Sequence, residues 1–549
     1  VGGGSSITQQ LAKNMFFSFE QTYTRKIREA LIAVQMERRY TKDEILESYC
    51  NIINFGSNAY GVERAAQTYL GKHADELTLA EAAFLANLPN SPSNYNPYQN
   101  YDVAKERQII VLKRMFKEKM ITEPEMEAAY AEPIELKRLN LLYGKANYYL
   151  DYVKRQIVDE FSRDVLYYGG LKVYTTMDTR MQSLAQEVIQ SRLAELDKLL
   201  GFSDYELAPL EAKKHYLQAA LVAIDPTNGK IKALVGGRDY SVSPYNRALE
   251  NNRLAGSSFK PFTYLTAIDE GGFNPATVMI DSPVVFQYDR QVWKPENWDN
   301  QYMGPITLKT ALTQSRNVVA AKLINLVGPA EVVKYAHKMG IESKLDPVLS
   351  LSLGTSGVSP LEMARAYCTF ANGGITRETQ LIKYIEDPEG KTIREYINRG
   401  ERSVDEQSIY MMIDMMKNVV YEGTARRARW MGFDRPCAGK TGTTNNASDL
   451  WFVGYTPQLA TAVWVGFDEP SSVRKPNGAE MSSGEAAVSI WTLFMKDALQ
   501  AEPFREFKRP PGIIFEYVDP VTGEIVPNTY PNAQQVALKA GTRLPVKQN

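Results

Sequence analysis

The first 145 residues carry a helical pattern of apolar and polar positions. Threonine lies three residues before glutamate at Thr41, Thr78 and Thr122, and each of these capping boxes opens a run with apolar residues at helical spacing. The run after Thr78 stops at Pro89, and the residues that follow have the composition of an irregular loop. The pattern predicts a mainly helical unit over residues 1–145.

The periodicity changes near Gly169-Gly170. Residues 171–176 alternate between apolar and polar side chains as in a strand, and Asp178 or Thr179 is placed to cap a helix that reaches about Leu200. We therefore expect a linker with one strand and one helix over residues 146–215.

From residue 216 onwards, strand and helix patterns are mixed. Residues 221–224 and 230–235 are strand-like and flank the turn Asp225–Gly229, which is typical of a β-hairpin. Similar turns recur at Asp387–Gly390 and Asp519–Gly523.

Helical stretches lie between the first two of these turns, and one opens at Ser359 with Pro360 in its first turn. Strands joined by hairpins, with helices inserted, predict an α+β domain with an antiparallel sheet flanked by helices over residues 216–505. The sequence Phe-Lys-Arg-Pro-Pro at 507–511 marks the boundary to a short β extension over residues 506–549.

The charge balance and the rare residue types exclude several functions. The 549 residues include 63 Lys and Arg against 64 Asp and Glu, and this balance argues against nucleic acid as a partner. Three histidines and three cysteines, none at ligand spacing, argue against a zinc site, a disulfide scaffold and histidine as a catalytic base. No apolar run is long enough for a membrane-spanning helix. Because residue 1 is Val, we expect any anchor or signal to lie upstream.

Three short motifs in the predicted α+β domain carry candidate catalytic chemistry. Ser257 and Lys260 form Ser-x-x-Lys, and Ser315 and Asn317 form the only Ser-x-Asn of the chain. Lys440 opens its only Lys-Thr-Gly. Three motifs in this order form a much stronger signal than any one of them alone.

The first motif has a defined local geometry. Pro261 is tolerated only in the first turn of a helix, so the helix is expected to begin near Ser257. The i, i+3 spacing then allows the Ser257 hydroxyl and the Lys260 amine to meet. A second Ser-x-x-Lys begins at Ser472, but neither of the other motifs follows it.

These residue types suit acyl transfer through a serine. Serine is a poor nucleophile that needs an adjacent base, and Lys260 can serve if it is neutral. Burial and a second cation, Lys440, both lower the pKa of a lysine. Ser315 is placed to relay a proton and Asn317 to hold an amide, while a glycine after Lys440 lets a ligand backbone approach the strand edge. Candidate substrate-binding residues follow Lys440 directly: Thr441, Gly442 and Thr443.

The three motifs resemble those of the serine penicillin-recognising enzymes. The stretches 311–317 and 438–444 are similar to class A penicillin-binding proteins in particular. The resemblance implies that Ser257 is acylated by a peptide stem ending in D-Ala-D-Ala, with release of D-Ala, and that the amine of a neighbouring stem then takes the acyl group. It also implies an oxyanion hole made by the backbone N–H groups of Ser257 and Thr443, and no cofactor for this reaction.

The helical unit resembles the other half of the same class, the family 51 peptidoglycan glycosyltransferases. The resemblance lies in blocks at residues 3–14, 24–29, 42–51 and 61–72. It implies a lysozyme-like fold that polymerises lipid II and displaces an undecaprenyl pyrophosphate. The implied site residues are Gln9, Lys13, Arg25, Lys26, Glu29 and Asn51.

The resemblance also implies roles and surroundings for this unit. Lys13, Arg25 and Lys26 are expected to bind the pyrophosphate, and Glu29 to supply a carboxylate for a divalent cation, Mg or Mn. The apolar cluster Met15–Phe19 is interpreted as part of a face that dips into the membrane surface. Expected partners are lipid II, nascent peptidoglycan and β-lactams, with the catalytic domains outside the cytoplasm and a single-pass anchor in the cytoplasmic membrane.

The first motif of the glycosyltransferase family, with the glutamate that deprotonates the acceptor sugar, precedes the block that here begins at Gly3. We expect this motif upstream of Val1. From the sequence we therefore expect no glycan polymerisation by these 549 residues alone, although Ser257 still reacts with penicillin.

Two other functions stay open at this point. A β-lactamase or D,D-carboxypeptidase shares all three motifs, but such hydrolases are usually single domains and turn over benzylpenicillin rapidly. A non-catalytic sensor or scaffold keeps the fold but does not label with a fluorescent penicillin, and the intact motif residues argue against it.

Overall fold

The chain divides into two compact units. The first comprises Val1–Tyr143 and Phe161–Gly170, and the second comprises Gly144–Glu160 and Leu171–Asn549. The structure is a computed structural model that describes residues 5–16, 23–57, 59–98, 100–137, 146–250, 253–288 and 291–547.

The first unit is helical, as predicted. The side chains of Thr41, Thr78 and Thr122 each accept a hydrogen bond from the backbone N–H of the glutamate three residues on, so all three predicted capping boxes are present. The helices of this unit are α1 Ile7–Phe16, α2 Tyr23–Arg39, α3 Lys42–Ile52, α4 Val62–Tyr69, α5 Leu79–Ala86, α6 Tyr101–Lys117 and α7 Glu123–Ala131, with a short one at Arg163–Tyr168.

An apolar core holds α4, α5 and α6 of this unit together. Tyr69, Phe84 and Leu112 have no exposed surface and belong to one buried cluster. The short helix α5 is apolar almost throughout because it lies between its neighbours and buries several of its faces.

Helix α2 differs, because one of its faces carries large apolar side chains in contact with solvent. Ile27, Leu31 and Val34 lie at helical spacing and are 63%, 62% and 53% exposed. Met15 and Phe16 at the end of α1 are exposed as well, whereas Phe17 and Phe19 of the predicted membrane-facing cluster lie outside the described residues. Within the described ranges, no helix combines the length and the apolar character that crossing a membrane requires.

The second unit is built on a five-stranded antiparallel sheet, whose strands lie in the order Ala438–Thr443, Asp449–Tyr455, Ala460–Gly466, Gln218–Ile224 and Ile231–Val235. Its central strands are buried along their whole length, and their sequences are therefore nearly continuous apolar runs. The strands of the unit are β1 Lys172–Thr175, β2 Gln218–Ile224, β3 Ile231–Val235, β4 Arg253–Leu254, β5 Val278–Asp281, β6 Phe286–Tyr288, β7 Gln291–Trp293, β8 Gly304–Thr307, β9 Gly357–Val358, β10 Ile375–Thr376, β11 Ile382–Glu386, β12 Thr392–Glu395, β13 Glu401–Arg402, β14 Ala438–Thr443, β15 Asp449–Tyr455, β16 Ala460–Gly466, β17 Ile513–Val518 and β18 Gln534–Lys539.

Helices cover both faces of this sheet. On β15, Phe452 packs against Trp491 of one helix, and Tyr455, which points to the opposite face, packs against Tyr367 of another. The α+β architecture predicted from the sequence is therefore present. The helices are α8 Asn147–Glu160, α9 Thr179–Leu200, α10 Leu210–Lys213, α11 Lys260–Asp269, α12 Leu308–Thr313, α13 Asn317–Val327, α14 Pro329–Lys338, α15 Pro360–Ala371, α16 Glu406–Tyr421, α17 Arg427–Trp430 and α18 Ala487–Ala498.

The local predictions for this unit agree with the structure at the turns and caps. Strands β2 and β3 form the hairpin around Asp225–Gly229, and β11 and β12 form the one around Asp387–Gly390. Asp178 caps α9, and Ser359 caps α15 with Pro360 in the first turn.

The stretch predicted as a linker, residues 146–215, is integrated into the second unit except for residues 161–170. Strand β1 pairs with β11, and α9 packs against β3. On α8, the buried Tyr149 hydroxyl donates to the carbonyl oxygens of Ile231 and Leu381, at 3.2 and 3.1 Å, and is bonded to the Thr176 hydroxyl. This stretch therefore belongs to a folded domain and does not act as a separate linker.

The predicted β extension is an antiparallel pair, β17 and β18. It is attached to the rest of the unit by polar contacts: the Lys309 amine donates to the Gln535 carbonyl at 2.7 Å, and Asp414 accepts from the backbone N–H of Ala537 at 3.2 Å. The extension is therefore hydrogen-bonded to α12 and α16.

Tyr149 provides a test of the integrated α8. Replacing Tyr149 by Ala is expected to lower the free energy of unfolding of the second unit by ~3–5 kcal/mol, because a buried aromatic ring is lost. The half-exposed Tyr421 serves as control, since Tyr421→Phe is expected to change stability by less than ~0.5 kcal/mol. Thermal denaturation measures both, and an unchanged midpoint for Tyr149→Ala would show that α8 is not part of this fold.

Candidate active site

Ser257 lies in a single 3-10 turn between β4 and α11. The turn covers Gly256–Phe259, and the α-helix begins at Lys260 with Pro261 in its first turn, three residues later than the sequence suggested. Gly256 has a φ of +55°, and a Cβ there would lie 2.8 Å from the Thr443 carbonyl oxygen. Only glycine therefore allows the turn to pack directly against β14.

Lys260 is completely buried, and its amine contacts the second motif. Its Nζ donates to the Ser315 carbonyl at 2.6 Å and to Asn317 Oδ1 at 2.7 Å, and lies 3.2 Å from Ser315 Oγ. No hydrogen bond joins it to the half-buried Ser257 hydroxyl in the described part of the chain. Catalytic hydrogen bonds of this kind commonly tighten only when substrate binds.

Lys440 reaches the same serine from the sheet. It pairs with Val453 across β14 and β15, has no exposed surface, and its Nζ donates to Ser315 Oγ at 2.9 Å. The Ser315 hydroxyl is therefore placed between two lysine amines. Ser315 has a φ of +55°, a left-handed conformation that costs a serine about 1–3 kcal/mol and is typical of functional sites.

Burial sets the protonation of both lysines. It lowers the pKa of Lys260 well below the ordinary lysine value, and the neighbouring charges of Lys440 and Arg316 lower it further, while Asp281 acts in the opposite direction. Burial also lowers the pKa of Lys440 to about 7. Both shifts disfavour two charged amines side by side, and this favours a neutral lysine, as a lysine base requires.

The residues after Lys440 have different surroundings. Thr443 is exposed, and its hydroxyl is bonded to Ser483 at 2.7 Å, so it faces the solvent from the end of β14. The Thr441 hydroxyl is instead buried and bonded to Thr424 at 2.6 Å. A Cβ on Gly442 would lie 2.4 Å from the Ala255 carbonyl oxygen, so this glycine is also required by the packing of the chain that leads to Ser257.

The structure adds polar residues that the motifs did not indicate. Asp281 and Asn297 are fully buried and bonded to the second motif, and Ser483 donates to the Gly442 carbonyl at 2.6 Å. Arg316 was visible as the middle residue of Ser-x-Asn, but the motif gave it no role. None of the others carries a spacing or capping signal, because Asp281 is the last residue of the short strand β5 and Asn297 and Ser483 lie in irregular segments.

In the first unit, the predicted glycosyltransferase residues lie on α1, α2 and α3. The Glu29 carboxylate is 1% exposed and lies 3.0 Å from Arg25 Nε and 2.8 Å from Lys26 Nζ. Gln9 is bonded to the backbone of Ser6 at 3.2 Å. Lys13 and Asn51 share this helical unit but form no ion pair or hydrogen bond with Glu29 among the described residues.

The described residues around Glu29 offer no suitable set of ligands for the divalent cation that the resemblance implies. Both oxygens of this carboxylate face a cationic side chain. Among the residues that the structure describes, no group of three His, Cys, Asp or Glu side chains is placed to hold a metal. The divalent cation therefore stays a prediction.

Comparisons with known proteins agree with both halves. A family model described as transglycosylase matches residues 1–116, and one described as penicillin binding protein transpeptidase domain matches residues 219–480. Penicillin-binding protein 1A of Aquifex aeolicus is 37% identical over 95% of this chain and 80% of its own length. Penicillin-binding protein 2D of Bacillus subtilis is 38% identical over 95% of this chain and 74% of its own length.

Solved structures extend the likeness to three dimensions. The crystal structure of penicillin-binding protein 1A from Haemophilus influenzae superposes with a TM-score of 0.74 at 26% identity, covering 99% of this chain and 94% of that one. PonA1 from Mycobacterium tuberculosis, solved with penicillin V, covers 67% of this chain and 96% of its own at a TM-score of 0.57 and 25% identity. The matched domains imply binding of β-lactams and of peptidoglycan. The chain belongs to the class A penicillin-binding proteins, bifunctional enzymes that synthesise peptidoglycan with a glycosyltransferase and a serine transpeptidase.

Proposed function

We propose that the transpeptidase reaction of this chain uses Ser257 as nucleophile and neutral Lys260 as its base. The observation that carries this proposal is the pair of acceptors on Lys260. The Ser315 carbonyl and Asn317 Oδ1 only accept hydrogen bonds, and the third contact of Nζ is the Ser315 hydroxyl at 3.2 Å, which can donate as well as accept. In the neutral form of the amine, which burial favours by lowering the pKa of Lys260, two N–H groups bind the two acceptors. The lone pair of the amine is then left to take a proton.

In the first half-reaction, Ser257 Oγ attacks the carbonyl carbon between the two D-Ala residues of a stem peptide. Its proton passes to Lys260, directly or through the Ser315 hydroxyl, and then to the nitrogen of the leaving D-Ala as the peptide bond breaks. The carbonyl oxygen becomes negative in this step, and the backbone N–H groups of Ser257 and Thr443 are proposed to stabilise it. The close packing of Gly256 on Thr443 supports this placement.

In the second half-reaction, the amine of another stem attacks the acyl-serine. It gives a proton to Lys260 as it attacks, and Lys260 returns a proton to Ser257 Oγ when the ester bond breaks. The exposed Thr443 hydroxyl and the protonated form of Lys440 are proposed to bind the terminal carboxylate of the donor. Thr441, whose hydroxyl is bonded to Thr424 and lies 3.4 Å from Lys440 Nζ, is proposed to border the same carboxylate site.

For the glycosyltransferase unit, we propose lipid II as the substrate and Lys26 as a ligand of its pyrophosphate. The Lys26 side chain is 53% exposed, whereas Arg25 is 12% exposed and oriented toward the buried Glu29 carboxylate. In this proposal Lys26 binds the phosphates and Arg25 orients Glu29.

The exposed apolar face of α2 supports a place at a membrane surface. Ile27, Leu31 and Val34 lie along one face of the helix that carries Lys26. Exposed apolar side chains beside cationic ones favour the interface of a bilayer, where the lipid tail of the substrate also lies. We therefore place both catalytic units outside the cytoplasm, at the surface of the cytoplasmic membrane.

The identity of the nucleophile is tested by mapping a covalent adduct. Benzylpenicillin is expected to add once, on the peptide that contains Ser257, because this serine lies in the turn that precedes the buried Lys260 and packs on β14. Ser257→Ala is expected to abolish the adduct, whereas the matched change Ser472→Ala in the second Ser-x-x-Lys leaves it intact. Mass spectrometry of digested protein distinguishes these results, and an adduct on Ser472 would contradict the assignment.

The role of Lys260 is tested by Lys260→Arg, which keeps the positive charge but removes the ability to give up a proton. Acylation by a fluorescent penicillin is expected to fall by about 10²–10⁴-fold, the usual contribution of a general base. In the unchanged protein the rate should rise with pH as Lys260 loses its proton. Near-normal acylation of the arginine variant would mean that another group is the base.

A further inference from the structure

The second motif is held in place by a buried polar network. Arg316, 2% exposed, donates from Nε to Asp281 Oδ2 at 2.9 Å and from a terminal nitrogen to Asp299 at 2.8 Å, and it also donates to the Gln301 carbonyl. Asp281 has no exposed surface and accepts from the Asn297 side-chain amide at 2.8 Å. Both oxygens of this carboxylate therefore accept hydrogen bonds from other side chains of the protein.

Asn297 connects this network to Asn317 of the second motif. Helix α13 begins at Asn317, and its preceding residue, Arg316, offers no side-chain cap. Asn297 Oδ1 provides that cap from another loop, accepting from the backbone N–H groups of Asn317 and Val318 at 2.8 and 3.2 Å. The Asn317 side chain is then fixed by donating to the Glu296 carbonyl at 2.8 Å, which leaves its Oδ1 directed at Lys260.

The network also places two opposite charges beside the base. The charged groups that act on Lys260 are Lys440 from β14, Arg316 from the segment between α12 and α13, and Asp281 from the end of β5. Arg316 favours the neutral amine and Asp281 favours the protonated one. The ion pair between them is buried, at 2.9 Å, and so is little screened by solvent.

We propose that Asp281 and Arg316 are positioning residues of the transpeptidase, which hold Ser315 and Asn317 against Lys260 and whose opposite charges act on that amine. Their geometric role explains how Ser315 keeps its left-handed backbone next to two lysines. Neither residue touches the reacting atoms. The inference rests on the proposed role of Lys260 as base.

Two variants distinguish the geometric role of the Arg316–Asp281 pair from the effect of its charges on Lys260. Arg316→Lys keeps the positive charge but loses the fork that reaches Asp281, Asp299 and Gln301, so the maximal rate of acylation is expected to fall about 10–100-fold at an unchanged pH dependence. Asp281→Asn keeps the shape but removes the negative charge that favours protonated Lys260. Its maximal rate is expected to fall as well, and the pH at which acylation is half-maximal on the acid side is expected to move down.

A matched control is the buried pair of Arg238 and Asp197, at 2.6 Å in the same unit, which contacts none of the three motifs. Asp197→Asn is expected to lower the melting temperature without moving the pH profile. The measurement is the second-order rate of labelling by fluorescent penicillin against pH, with melting curves for each variant. Lys260→Arg is measured in parallel.

The outcomes are distinct. The inference is overturned if both variants label at the unchanged rate, or if Asp281→Asn is slower while its acid limb stays in place, because that is a purely structural effect. If Asp281→Asn does not fold, the rate of Arg316→Lys decides alone. If Lys260→Arg labels normally, the proposed base is wrong, and that failure is separate from the failure of this inference.

Discussion

The catalytic half of this protein depends on the burial of two lysine side chains beside one another. Two charged ammonium groups cannot share a site without solvent, since both desolvation and mutual repulsion disfavour the charged forms. Burial and the neighbouring cations favour the neutral form of Lys260, and the Ser315 hydroxyl lies between the two amines. The proposed base is therefore a side chain that is ordinarily a cation, in an enzyme with few histidines.

The sheet and its helices explain how residues far apart in sequence meet. Side chains alternate along β14, so position 442 faces the turn that carries Ser257, and the hydroxyls of Thr441 and Thr443 are bonded to Thr424 and Ser483. Backbone packing on that face is close enough to require glycine at two positions. Ser257, Lys260 and Lys440 are therefore each fixed by secondary structure.

Much of this arrangement was predictable from local signals. The capping boxes at Thr41 and Thr78, the hairpin turns and the three motifs each depend on a few neighbouring residues, and the structure contains all of them. The 3-10 turn at Ser257 and the pairing of Thr441 with Thr424 depend on tertiary packing, and so the sequence alone did not indicate them.

The elements that were missed share a physical cause. Residues 146–215 resembled a linker because the partner of β1 is β11, which lies far along the chain and leaves no periodic trace near β1. Asp281 ends a strand of four residues and Asn297 lies in an irregular segment, so no helical or strand spacing marks either as a buried polar residue. Polar networks of this kind are specified by three-dimensional contacts, and a single sequence shows only the end that carries a motif.

The central claim, that Lys260 is neutral near physiological pH, is open to direct measurement by NMR titration of protein with ¹³C-labelled lysine side chains. The spectrum of Lys260→Arg identifies the resonance, because that signal alone should be missing. The account predicts that this lysine titrates well below the ordinary value of about 10.4, owing to burial and the neighbouring cations. Titration of that resonance near the ordinary value would contradict it.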